Sequence, residues 1–264
     1  MTRLLLLGLW LLSTSVAQAA RPAVPMELQA EDGERIPVRV LEPEGDAANP
    51  PVAVLLHGLT RNKEDWLSET APTYGGALTE DLLRSGYRVY LMDARRHGER
   101  ATPDAKPGAL VKRAHAGDTA PYQAMIVDTV RDARMLLERV LAKGKPPRVL
   151  VAGYSMGAQV GLLLASREPR VTHLVTMVPP HVDPVQGDAA PVNRMGGIHQ
   201  SWLLLTATND PFSTAENSQA LFEAAPSKRK ARKAFDSGHA LPREYLDEVR
   251  RWLSETQLSP PATP

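Results

Sequence analysis

The chain has 264 residues, 31 Lys and Arg against 30 Asp and Glu, and no cysteine. A formal charge of +1 gives no electrostatic case for nucleic acid or for an anionic membrane surface as partner. Without cysteine there is no disulfide, no lipid-modified thiol, no thiol nucleophile and no cysteine-ligated metal.

The first predicted element is a leader. Met1-Thr2-Arg3 is followed by an apolar run to Leu12 and then by Ala17-Gln18-Ala19. A positive start, a short apolar core and a small-x-small site describe a signal peptide over residues 1–19, so the protein is expected to be exported, to the periplasm or the medium. At ~1.5 Å per residue the apolar stretch 4–16 spans roughly 20 Å, short of a ~30 Å hydrocarbon core, which favours cleavage after Ala19 over a permanent anchor. Losing Arg3 brings the mature chain to a net charge of about zero.

A Pro-rich start at 21–25 precedes predicted strands over 36–41, 52–56, 87–92, 148–152, 173–178 and 202–206, with a weaker one near 232–235. Several are apolar at consecutive positions, as strands buried on both faces should be. Helical spacing lies between them, over 77–84, 126–141, 158–165, 215–225 and 243–255. The helix over 126–141 has Ile126, Val130, Ala133, Leu137, Val140 and Leu141 on one face. Asp128, Arg131, Asp132, Arg134 and Glu138 share the other, and that charge run reads as a solvated surface. Strand alternating with helix predicts an α/β fold, a mostly parallel central sheet flanked by helices on both faces. No repeat and no linker divides residues 20–258, so one domain is expected, with 259–264 as a flexible tail.

Two connections are long. Residues 98–121 carry Lys106, Lys112, Arg113 and His115, which could select an anionic substrate, although solvated basic residues are the commoner case. Residues 179–200 hold several Pro and Gly but few large apolar side chains. They are too short for a lid domain that buries a long acyl chain, so an open or lightly covered pocket is expected.

Gly153-Tyr154-Ser155-Met156-Gly157 fits G-x-S-x-G, directly after an apolar strand and directly before a buried helix. A serine on so sharp a strand-to-helix turn needs a strained backbone, and residues two before and two after must lack side chains. The alternative is an ordinary Gly-rich helix start with a capping serine. Asp210 follows the apolar strand 202–206 and would emerge at its carboxyl end, on the same rim as Ser155. Asp183, after the preceding strand, is the rival acid. No phosphate loop, dinucleotide fingerprint, H-E-x-x-H or clustered metal ligands are present in the sequence, so no cofactor is implied.

With His57-Gly58 after the strand 52–56, Asp93-Ala94-Arg95-Arg96-His97-Gly98 after the strand 87–92, the Ser155 elbow, Asp210 and His239, the chain resembles the α/β-hydrolase family, in its serine esterase and dienelactone-hydrolase-like branch. The resemblance covers nearly the whole mature chain. It implies Ser155 as nucleophile, Asp210 as acid and His239 as base, in the family's chain order. Of seven histidines, only His239 has that place after the acid. His57 is tied to the oxyanion turn, His97 to a structural loop and His173 to a strand start, while His115, His181 and His199 read as surface-loop residues. The resemblance further implies an oxyanion hole from the backbone N–H groups of Met156 and Leu59. It also marks 179–200 as the place where family members insert a cap. The expected activity is hydrolysis of small-molecule carboxylic esters with small or medium acyl groups. Thioesterase, amidase and peptidase chemistry on the same residues, or a non-catalytic binding module, are the alternatives.

Overall fold

Three short apolar runs in which every residue is buried form the middle of the molecule: β3 (Val52–Leu56), β5 (Val149–Tyr154) and β6 (His173–Met177). They belong to a computed structural model that describes residues 22–257 apart from Asp46 and Ala71, so the predicted leader and tail lie outside the described residues. The sheet has eight strands in the order β1-β2-β4-β3-β5-β6-β7-β8. The remaining strands are β1 (Val24–Gln29), β2 (Arg35–Leu41), β4 (Arg88–Met92), β7 (Ser201–Ala207) and β8 (Lys230–Phe235). β1 and β2 form an antiparallel hairpin, β2 is antiparallel to β4, and every other pair is parallel.

Among the described residues six α-helices cover the two faces: α1 (Gly75–Arg84), α2 (Pro107–His115), α3 (Ala120–Leu141), α4 (Met156–Ala165), α5 (Ala215–Ala224) and α6 (Tyr245–Gln257). Leu110, Ile126, Leu137, Val160 and Leu164 pack on one face with Val54, Leu56 and Val151. Leu78, Leu82, Tyr245 and Trp252 pack on the other with Leu55, Leu91 and Leu203. This is the mostly parallel, helix-flanked sheet expected from the alternating pattern. Among the described residues no helix is long and apolar enough to cross a membrane.

Three expectations are corrected. The Pro-rich segment runs into β1, an edge strand, where Pro25 can sit because one side of an edge needs no ladder bonds. The connection 98–121 contains α2. Asp132 is not solvated: its carboxylate takes a bidentate pair from Arg95 (Nε 2.6 Å, Nη2 2.9 Å) and a third bond from Arg100 Nη2 at 2.7 Å. Arg95 also reaches Asp32 and Glu34 at 2.6 Å each, so a network buried at Asp132 and Arg95 and open to solvent at Asp32 joins the β1–β2 turn, the exit of β4 and α3.

Candidate active site

The strand β5 ends at Tyr154 and α4 begins at Met156, leaving Ser155 alone in the turn with φ 55° and ψ −117°. A side chain is strained there by about 1–3 kcal/mol, a conformation that persists only when the surroundings hold it. They do so through Ser155 N, which donates to Met177 O at 2.8 Å. They do so also by close approach. A Cβ on Gly153 would lie 2.6 Å from Ala158 N, and one on Gly157 2.8 Å from His57 O, with Gly157 O and Leu56 O nearer still. All of those atoms are backbone, so both glycines are required. Gly161, four residues on, is less constrained, since a Cβ there would meet Val151 Cγ1 at 3.4 Å.

The parallel pairing of β7 and β8 continues past its last residues: Thr208 N donates to Phe235 O and Asn209 N to Ser237 O. That register brings the loop at Asp210 beside the loop at His239. His239 Nδ1 lies 3.0 Å from both Asp210 carboxylate oxygens, and His239 Nε2 lies 2.9 Å from Ser155 Oγ. A carboxylate can only accept, so the ring proton belongs on Nδ1 and the Nε2 lone pair faces the serine hydroxyl. The Asp210 side chain is 2% exposed and its Oδ1 accepts from Phe212 N at 2.9 Å. Phe212 meets the imidazole edge-on at 4.7 Å. On another side, Tyr154 Oη donates to His239 O and accepts from Leu241 N, both at 2.8 Å. The rival acid Asp183 is elsewhere occupied, accepting from Val185 N at 2.8 Å.

Leu59 and Met156 both face the serine cavity. Their N–H groups have no protein acceptor among the described residues, which leaves both free for a ligand oxygen. The turn that carries Leu59 is braced from behind. His57 Nδ1 donates to Gly58 O at 2.9 Å and its Nε2 accepts from Ala94 N at 3.0 Å. Burial, then the neighbouring His97, pushes His57 down to about 4, so it stays neutral and keeps both bonds. Beneath it Lys63 Nζ sits 2.6 Å from both Asp93 and Glu99, while Lys63 N bonds Asp93 Oδ1 at 2.8 Å. Burial works against the Lys63 ammonium, but the two carboxylates outweigh it and hold its pKa above the usual value. His57 and His97 thus have the structural places expected of them.

A family model described as the alpha/beta hydrolase family matches residues 53–262. The chain belongs to the alpha/beta hydrolase family. Solved structures of the same fold include TT1662 from Thermus thermophilus, 22% identical over 89% of this chain and 98% of that one, with a TM-score of 0.67. A cold-adapted esterase from an Arctic intertidal metagenomic library is 18% identical over 88% and 92%, with a TM-score of 0.67. A serine hydrolase without lid from Xanthomonas campestris is 20% identical over 92% and 97%, with a TM-score of 0.62. At such identities the likeness is one of fold. No curated protein matches the sequence significantly.

In this alpha/beta hydrolase the serine opens into a cavity of about 700 Å³. Its walls come partly from the strand ends and partly from the two long connections. From α2 come Val111, Ala114 and His115, and from the second connection His181, Val182 and Gln186. His115, at the end of α2, and His181, in an exposed loop, both line the cavity, whereas His199 is exposed and does not. Of Lys106, Lys112, Arg113 and His115, only His115 reaches the cavity, and Arg113 is paired with Asp118. The segment 179–200 contains two short 3-10 turns, and its Ala189, Met195 and Ile198 are buried in the core, so it packs down instead of rising as a separate lid. Sequence reasoning missed α2, although Pro107 at its first turn and Lys112, Arg113 and His115 in its last are ordinary boundary signals.

Proposed function

We propose that this hydrolase cleaves carboxylic esters of small or medium acyl groups through an acyl-enzyme on Ser155. The observation that carries this is the chain of contacts from Asp210 through His239 Nδ1 and Nε2 to Ser155 Oγ, each at 3.0 Å or less. Ser155 Oγ attacks the ester carbonyl as His239 Nε2 takes its proton, and Asp210 stabilises the imidazolium that forms. The Leu59 and Met156 N–H groups, helped by the dipoles at the start of α4, take up the charge on the carbonyl oxygen. The alcohol leaves with the proton from His239. Water, deprotonated by the same nitrogen, then attacks the acyl-enzyme and releases the acid.

The acyl preference rests on the cavity, whose volume lies within the range of small-molecule pockets, and on the absence of a raised lid in 179–200. The leader over 1–19 would place this activity outside the cytoplasm. The test is a fluorophosphonate label located by mass spectrometry, followed by a series of p-nitrophenyl esters. Label on Ser155 alone, lost in His239→Ala, with rates that peak at short or medium chains, is the expected outcome. Labelling elsewhere would refute the nucleophile, and rates rising steadily beyond about ten carbons would refute the acyl preference.

A further inference from the structure

Tyr154 stands between Gly153 and the nucleophile, at a position of the G-x-S-x-G pattern that the mechanism leaves unused. It is buried, and it ends β5, the central strand. Its hydroxyl crosses to a segment 85 residues later in the chain, where it donates to His239 O and accepts from Leu241 N at 2.8 Å each.

What else holds that segment matters here. Up to Ser237 the loop is tied to the residues just after β7, by Asn209 N to Ser237 O and by Asp236 Oδ1 accepting from Thr208 Oγ1 and Asn209 Nδ2. From Pro242 onward it is fixed by the start of α6, where Tyr245 N donates to Pro242 O. Between these anchors, the backbone groups of residues 239–241 that are hydrogen-bonded among the described residues are His239 O and Leu241 N, and both use the one hydroxyl. The imidazole itself has contacts at its two nitrogens and Phe212 against its edge, but its main chain hangs on Tyr154. Burial pushes the Tyr154 hydroxyl up to about 12, so it keeps its proton, and its ability to donate, through the range in which a serine hydrolase would work.

We infer that Tyr154 is a positioning residue for His239: one side chain sets the base while its own backbone sets the nucleophile. The inference rests on the acyl transfer proposed above for its consequence in rate, but the clamp itself is a statement about the loop. Because residue 154 precedes Ser155 directly, any movement of the elbow carries the histidine loop with it. The distance between Ser155 Oγ and His239 Nε2 is therefore kept by a short covalent and hydrogen-bonded ring, not by the long path through the sheet.

Tyr154→Phe removes the hydroxyl and little else. A misplacement of the base by a fraction of an ångström to an ångström costs on the order of tenfold to a hundredfold in rate. Fluorophosphonate labelling and kcat on a short-chain ester are expected to fall by that factor, with KM unchanged within about threefold. Thr176→Val is the control for general loss of stability. It deletes the buried acceptor of Trp202 Nε1, a 2.8 Å bond between two side chains that do not line the cavity, and should label at the wild-type rate once its melting temperature is matched to that of Tyr154→Phe. In a Ser155→Ala background, hydrogen exchange at the Leu241 amide should speed up about tenfold or more when Tyr154 becomes Phe. A Tyr154→Phe enzyme labelled within twofold of wild type, a Thr176→Val enzyme slowed equally, or an unchanged Leu241 amide overturns the inference. If the wild type takes no label, the proposed reaction fails by itself, and Leu241 exchange still decides the clamp.

Discussion

Gly157→Ala and Gly161→Ala place the same methyl group on the same helix, one turn apart, and should have opposite effects. At Gly157 the new Cβ would stand 2.8 Å from His57 O and closer to Leu56 O, where ordinary contact begins at 3.4 Å. Relieving the His57 contact alone needs a shift of about 0.6 Å, from 2.8 to 3.4 Å, and Leu56 demands more. Nothing nearby can yield, because both atoms are backbone of the fully buried β3 and the turn after it. The start of α4 must move away from the sheet instead, and Ser155 and the Met156 N–H move with it. Overpacking of this kind costs about 1–3 kcal/mol or more, and a displacement near an ångström at the reacting atoms costs on the order of a hundredfold in rate. At Gly161 the Cβ would meet only side-chain atoms, with Val151 Cγ1 the nearest at 3.4 Å and Leu174 Cδ1 next at 3.6 Å. There alanine should keep activity, and the gain in helix propensity offsets the tight contact, for a net change between zero and about 1 kcal/mol stabilising. Urea unfolding and ester hydrolysis on both variants measure the contrast. A Gly157→Ala enzyme with wild-type stability and rate would refute the reasoning, as would a Gly161→Ala enzyme as damaged as Gly157→Ala.

Lys63→Met should cost about 3–5 kcal/mol in urea unfolding, because Asp93 would be left charged and buried beneath the oxyanion turn. Arg250→Ala, which breaks an exposed pair with Asp81, should cost under about 1 kcal/mol, and equal losses would contradict the burial argument. His57 and His173 are both pushed down to about 4, in each case first by burial, against 6.5 in the unfolded chain. The unfolded state therefore binds more protons between those values. Their contribution is complete above pH 6.5 and is lost as pH falls from 6.5 towards 4, so the melting temperature should drop between pH 7 and pH 4.5; a rise over that interval would reverse the sign. Val111→Phe narrows the cavity from α2, and kcat/KM for an octanoyl ester should fall relative to an acetyl ester, with no change in ratio counting against α2 as a wall.

The parts of the site that were legible in the sequence are those whose chemistry constrains neighbours in the chain. Gly153 and Gly157 stand where side chains cannot, and Asp210 sits just after β7, a strand whose apolar run is unmistakable, with His239 following it in chain order. The pairing of those last two is a property of register, set by Trp202 to Ala207 against Lys230 to Phe235, which a weak amphipathic strand such as β8 does not announce. Three misses have physical causes. β1 alternates between exposed and half-buried positions and contains a proline, so no apolar run marks it. α2 buries only Leu110 and Ala114, too few to stand out in a basic segment. Asp132 belongs by helical spacing to a solvated face, yet it is buried because Arg95 and Arg100 arrive from the loop after β4, and partners that distant leave no local pattern. The role inferred for Tyr154 is of the same kind, since Leu241 lies 87 residues away.

The strand order also bears on how the chain is made. β3 leaves the ribosome third, but its place is between β4 and β5, and β5 is not complete until residue 154. Through the synthesis of some ninety residues after Leu56, a strand with no exposed residue in the finished sheet has at least one bare edge. Everything on the amino-terminal side of Val149 is in that sense half a sheet, awaiting its middle. A nascent chain or fragment that stops short of Val149 presents an apolar, unpaired edge to other chains, so aggregation, and not a smaller folded unit, is its natural fate.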